Sequence, residues 1–239
     1  MAAAGLWYVV SLLGVFPPAS FPAPGAVAAG FAEEIATGRL FNDIVASLFR
    51  VSAGFLLAVL AGVPFGLWLG HCPRMSAALM SAINFFRNLS PLAWIPFAIL
   101  WFGIGDVSVV FLIFMSTFFT LVVAMVAAVA NIPAVYFRVG QDYGLRGFGL
   151  LLRVKLPATL PQIITAVRVA GGIAWMVVVA AEMIAGRDGL GFAIWDARNG
   201  LRTDLLVCEM FVIGVIGVTL DWALSQLMKI PSVRWGYER

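Results

Sequence analysis

Charge is what this sequence has least of. Only 11% of its 239 residues are Asp, Glu, Lys or Arg, whereas 62% are hydrophobic and the mean hydropathy is +1.01. A soluble domain needs more polar surface than that, so a water-solvated globule is excluded and a helical bundle solvated by lipid is implied. Cysteine is scarce as well. Cys72 and Cys208 stand far apart with no second pair, which leaves neither a disulfide framework nor a zinc-ligand spacing. The single histidine, His71, borders the end of an apolar run, so an intramembrane protease lacks a base at the depth of a nucleophile. No G-x-x-x-x-G-K-[ST] phosphate loop occurs, and no cofactor or nucleotide chemistry is expected of this chain. The net charge of +3 raises nucleic-acid binding, but the cations do not gather on a soluble face and no nucleic-acid partner is expected.

What is present is a succession of apolar runs. A helix crosses the hydrocarbon core in roughly 20 residues, and it satisfies its own backbone where no water can. The first run, Ala2 to Phe16, has no positively charged leader and reads as a transmembrane helix rather than a cleaved signal, stopped at Phe16-Pro17-Pro18. Residues 17–43 are punctuated by Pro and Gly and then amphipathic, which predicts a surface loop carrying an interfacial helix over 24–37. Further spans are predicted over 44–71, 76–103 (interrupted by Pro91 and Pro96), 107–130, 158–185 and 205–228. The expected fold is all-α, a single polytopic domain over 1–239 with six transmembrane helices.

The cations sort by topology. Arg74, Arg138, Arg146, Arg153, Lys155, Lys229, Arg234 and Arg239 fall on one side of such a bundle. Arg39, Arg187, Arg198 and Arg202 fall on the other, among seven carboxylates. By the positive-inside rule both termini and the 131–157 loop are expected in the cytoplasm. Much of the aromatic content, including Trp68, Trp94, Trp101 and Trp235, suits anchoring at the membrane interface and packing against lipid.

The longest basic interruption covers 134–157. One reading is an amphipathic helix lying on lipid headgroups. Three details favour a helix–turn–helix instead. Gly144 sits mid-stretch, where it costs about 1 kcal/mol in a helix but permits a sharp turn. Leu145, Phe148 and Leu152 recur at helical spacing on the second short helix. Pro157 falls in the first turn of the next span, where its missing N–H is no loss.

With Arg146, Arg153 and Lys155 between Gly144 and the Leu156-Pro157 pair, this stretch resembles the cytoplasmic coupling loop of ATP-binding-cassette importer permeases. The resemblance runs along nearly the whole chain. FPAPGAV after the first helix, SLFRVSAGF and GVPFGLWLG in the second, SPLAWIPFAILWFGIGD across the third and VVAAEMIAGRDGLGFAIWDARN after the fifth are similar to permeases of the nitrate/sulfonate/bicarbonate/taurine group. NIP at 131–133 and IWDARN at 194–199 lean toward the nitrate/bicarbonate branch. One departure is plain: the group usually has Glu-Ala-Ala where this chain has Arg138-Val139-Gly140, so a cation replaces the glutamate that would meet the ATPase.

The resemblance implies a type I importer permease fold and a mechanism of rigid-body alternation in the bacterial inner membrane. It implies four partners: cassette ATPase subunits, a periplasmic or lipid-anchored substrate-binding protein, a second permease copy in a homodimer, and membrane lipid. Arg138, Gly144, Leu145, Arg146, Phe148, Leu156 and Pro157 would couple to the ATPase. An ion- or proton-coupled secondary transporter is the alternative, and it would need a deep carboxylate relay but no such loop.

Ionisable groups at membrane depth are costly and mark function by default. Arg87 and Arg168 each lie about ten residues into a span, hence roughly 15 Å deep. Arg87 precedes Asn88, Ser90 and Pro91, where a broken helix frees backbone to line a cavity. For a small anion the two arginines would supply attraction; otherwise each clamps free carbonyls or snorkels. Arg168, Trp175 and Glu182 fall seven apart, nearly one stripe facing the pathway or the partner copy. Glu182 and Arg50 reach similar depths near the outer ends of their spans and are expected to pair, holding a gate. Glu209 and Asp221 have no role on this reading.

Overall fold

Four stretches are long and apolar enough to cross a membrane as helices: Arg39–His71, Asp106–Ala130, Leu151–Ala185 and Thr203–Lys229. The computed structural model describes residues 2–13, 17 and 20–229, and every regular element among them is helical. Arg234, Trp235 and Arg239 lie outside the described residues, as does the end of the first apolar run at Phe16 and Pro18.

Helix α1 (Ala2–Leu12) is followed by α2 (Pro24–Thr37), which begins with proline in its first turn, where no N–H is needed. It coincides with the predicted interfacial helix. Gly38 (φ 75°) takes the left-handed conformation that ends α2, and α3 (Arg39–His71) starts at the next residue. The span therefore begins at Arg39 rather than 44, because Leu40, Asp43 and Ser47 already face the core.

The third apolar run differs from expectation. It is three pieces: α4 (Pro73–Asn88), a 3-10 turn at Pro91–Trp94, and α5 (Ile95–Phe102). Pro91 and Pro96 cannot donate to the ladder, and Leu89 and Ser90 adopt extended backbone between the pieces. α1, at 11 residues, is about 16 Å long against a core of about 30 Å. The chain continues through α6 (Asp106–Ala130), α7 (Ala134–Asp142) and α8 (Gly147–Leu150). A π-turn (Leu151–Lys155) leads into α9 (Leu156–Ala185), followed by α10 (Leu190–Asn199) and α11 (Thr203–Ser225).

The centre of the bundle is a seam between α3 and α6, which run parallel. Gly54, Ala58, Gly62, Gly66 and Gly70 recur every four residues along one face of α3. A methyl group at Gly54 would stand 2.7 Å from Ile113 Cβ, one at Gly66 2.6 Å from Met125 Cβ, and one at Gly70 2.9 Å from Val129 Cβ. Small residues allow this approach, which is how helices associate when lipid supplies no hydrophobic drive between them. α9 packs on the same pair, burying Ala170, Ala174 and Val178. Trp94, expected at the interface, is half-buried in an aromatic stack with Phe86 (6.0 Å) and Phe111 (6.5 Å) that holds the broken third run against α6.

Candidate functional site

At the end of the bundle opposite the 134–157 loop, α3, α6, α9 and the 186–189 turn meet around Arg50. Its guanidinium is 2% exposed. Nη1 donates to Glu182 Oε1 at 2.9 Å and to the Asp188 carbonyl at 2.7 Å. Nε donates to Asp106 Oδ1 at 2.7 Å, and Nη2 bonds the Asp188 carboxylate. Glu182, fully buried, also accepts from the Ser47 hydroxyl at 2.8 Å and from the Gly191 N–H at 3.0 Å. Ser47 in turn accepts from the Leu190 N–H at 3.0 Å, and Asp43 from the Gly189 N–H at 2.7 Å. The turn can dock this closely because Gly189 (φ 98°) and Gly191 press against Glu182, where any side chain would collide. The Arg50–Glu182 pair inferred from depth is thus formed. Asp106, Asp188, Ser47 and the turn amides extend it into a network that satisfies the cation and the buried carboxylate together.

Arg87 is placed differently. It ends α4, just before the extended break, and makes no hydrogen bond or ion pair with the described residues. It lines a cleft of about 200 Å³ with Phe86, Pro91, Trp94, Ser116, Phe119, Thr120 and Ile173 of α9. The Ser116 and Thr120 hydroxyls donate back to helix carbonyls at 2.8 and 2.9 Å. Arg87 is exposed, as are Asn88 and Ser90 beside it, so it is not the buried midplane cation that its depth along the span suggested.

The seven-residue stripe on α9 does not share one environment. Arg168 is half-exposed and bidentate to Asp221 of α11, at 2.8 and 2.7 Å, which gives Asp221 its role. Trp175 is buried and donates to the Ile213 carbonyl at 3.2 Å, while Glu182 belongs to the Arg50 network. A spacing of seven drifts around a helix of 3.6 residues per turn, and α11 covers the face between. Arg168 is therefore a clamp between α9 and α11 in this structure.

At the other end the loop turns where the glycine is. Gly144 has φ 76°; its N–H donates to the Gln141 carbonyl at 2.8 Å, and the Leu145 N–H donates to the Gly140 carbonyl at 2.9 Å. The second arm departs from expectation. Leu145 precedes it, and it is one α-turn followed by the π-turn rather than a regular helix. Its inward residues are Leu150 and Leu151, with Leu152 exposed; the Phe148 side chain lies outside what the structure describes. Gly140 fits against Leu150 and Val154, and buried Lys155 sits 5.2 Å from the Phe137 ring centroid, tying the two arms together. Arg138 and Arg146 are exposed. Leu156 and Pro157 open α9, and Pro157 lines a cleft of about 1200 Å³ with Tyr136, Val139, Tyr143 and Arg153.

Sequence reasoning missed a group of carboxylates where α2, α10 and α11 meet. Glu33 accepts from Arg202 at 2.7 Å, and that bond holds its carboxyl below the usual range. Burial pushes neighbouring Glu34 up. Nothing in the pattern around Glu34 sets it apart from a surface acid, and Glu209, visible as an acid inside an apolar run, had no partner in sequence to give it a role; the packing of α2 on α11, close at Gly30, buries them together.

With that geometry in place, relatives fix the class. Residues 62–230 match the family of binding-protein-dependent transport system inner membrane components. The chain is 32% identical over 233 residues to the taurine transport system permease protein TauC of Escherichia coli, covering 94% of this chain and 83% of that protein. It is 35% identical over 182 residues to the nitrate import permease protein NrtB of Leptolyngbya laminosa, covering 76% and 65%. In fold it is similar to a chain of the MetNI methionine ABC transporter, with a TM-score of 0.73 at 15% identity over 82% of this chain and 97% of that one. The chain belongs to this permease family. It is a membrane-embedded transport subunit of an ATP-driven importer, with the type I permease fold and its ATPase in a separate subunit, and the secondary-transporter alternative is set aside.

Proposed function

We propose that two copies of this chain, each one transmembrane domain over 1–239 with six crossings and cytoplasmic termini, form the pathway for a small anion of the nitrate, bicarbonate or sulfonate class across a bacterial inner membrane. A periplasmic or lipid-anchored binding protein delivers the anion. Cassette ATPases dock at 134–157, where Arg138, Arg146, Tyr143 and Val139 are exposed, and their closure swings the arms. The outer network of Arg50, Glu182, Asp106 and Asp188 forms the rigid rim of the gate.

The observation that carries the substrate class is Arg87: an exposed guanidinium with no hydrogen bond or ion pair among the described residues, at a helix break, in a cleft that also contains hydroxyls. An open cation on the wall of a cleft favours an anion, which its planar fork of donors can hold in a bidentate grip. Its position at the C-terminal end of α4 suits its charge without engaging its donors among the described residues. Arg168, already neutralised by Asp221, serves less well. The relatives named for taurine and nitrate support the same class.

The test is ATPase stimulation of the reconstituted complex with its binding protein across nitrate, bicarbonate, taurine and alkanesulfonates. One anion should stimulate, and Arg87→Gln should lower that response by about tenfold or more while basal ATPase and assembly persist. Arg168→Gln should retain it. A normal response from Arg87→Gln would remove the arginine from the pathway.

A further inference from the structure

Near the Arg50 network, but separate from it, a cleft of about 310 Å³ opens between α2, the start of α3, α10 and α11. Its rim carries two arginines, and both are already engaged. Arg39 bonds Asp196 at 2.6 Å and reaches Asp43 at 3.6 Å. Arg202 bonds Glu33 at 2.7 Å and Asp204 at 2.9 Å. The floor is different. Glu34 is 5% exposed and Glu209 1%, and both line the cleft. Each has a buried Oε2 with no hydrogen-bond partner, and neither forms an ion pair among the described residues. A buried, unpaired carboxylate is among the most costly arrangements a fold can keep, so its counter-charge comes from outside the chain or from a proton.

We propose that this cleft is a binding site for a small organic cation carrying an ammonium or guanidinium group, with Glu209 and Glu34 as its counter-charges. Three observations carry this. The rim cations are spoken for, so the surplus charge facing the space is negative. No group of three or more acidic, histidine or cysteine side chains among the described residues is arranged to hold a metal ion, which disfavours a bare metal cation. The volume reaches the lower end of small-molecule pockets and exceeds what one ion needs. N–H donors on the ligand would satisfy these carboxylates once each turns its covered Oε2 toward the cleft, which a quaternary ammonium cannot do. The site lies on α2, α10 and α11, remote in sequence from Arg87, so the proposal stands independently of the anion pathway.

The test is calorimetric titration of the permease–ATPase complex in nanodiscs with ethylammonium and ethylguanidinium, with tetramethylammonium as the control lacking N–H donors. Saturable binding of either probe is expected, weakened about tenfold or more by Glu209→Gln and by Glu34→Gln, both near-isosteric. Arg87→Gln should leave it unchanged. Thr37→Lys, which tethers an ammonium at the rim, should abolish probe binding while the complex remains assembled. No saturable binding up to about 10 mM overturns the proposal, as does equal binding by Glu209→Gln. Raised stability of Glu209→Gln with no binding in wild type also overturns it, and shows that the carboxyls keep their own protons.

Discussion

The two ends of this bundle handle charge in opposite ways. Around Arg50 nearly every strong group is answered: a buried cation, two buried carboxylates, two surface aspartates, a hydroxyl and three turn amides close on one another, and only Asp43 Oδ2 lacks a hydrogen bond. In the 134–157 loop the cations Arg138, Arg146 and Arg153 are exposed and make no ion pairs among the described residues, and Tyr143 is 83% exposed beside exposed Val135, Tyr136 and Val139. A self-satisfied network fixes a geometry without outside help. A surface of open cations and apolar groups is not answered among the described residues, and on the function proposed above the ATPase would meet it.

The sharpest way to break that contrast is Arg50→Ala. It leaves Glu182 charged and buried with no cation, a change of the kind that costs about 3–5 kcal/mol. We expect a large fall in Tm by fluorescence-detected unfolding, with the double variant Arg50→Met/Glu182→Met recovering much of it. If Arg50→Ala unfolds like wild type, the network is ornamental. At the other end, Tyr143→Ala should leave Tm unchanged but weaken capture of the ATPase subunit by about tenfold, or about 1.4 kcal/mol. A loss of Tm there would mean that the loop is structural rather than a docking surface.

The smallest effect is expected at Glu34. Burial raises its pKa, so the folded state holds the proton more tightly than the unfolded chain does. Its contribution is then intact below the ordinary value of 4.5 and is lost as pH rises through the folded value. In phosphate–citrate buffer free of organic amines, Glu34→Gln should match wild type at acid pH and gain on it as pH rises. A constant difference at all pH values would place Glu34 in contact with a permanent cation.

Much of this was legible in the sequence, for definite reasons. Hydropathy marks the four long spans because lipid leaves no other solution, and Gly144 marks its own turn because a left-handed residue there favours glycine. Depth alone paired Arg50 with Glu182. Asp188 and the Gly189 and Gly191 amides were not legible as partners, since they come from a turn whose docking no periodicity reports. The π-turn at Leu151–Lys155 was hidden because its residues suit an α-helix equally well. Arg168 was half-read: its depth was visible, but its pairing with Asp221 depends on how α11 crosses α9.

The glycine seam has a mechanical consequence. α6 is 25 residues long, about 37 Å of continuous helix, and it begins at Asp106, which grips Arg50. Its other end reaches Asn131-Ile132-Pro133, where the chain turns into the loop. Locked tooth-in-notch to α3 by Gly54, Gly62, Gly66 and Gly70, it has little freedom to slide or roll. A pair packed this closely would move as a single rod, passing a push at one membrane face to the other as tilt, with the broken α4–α5 run as the place left for give.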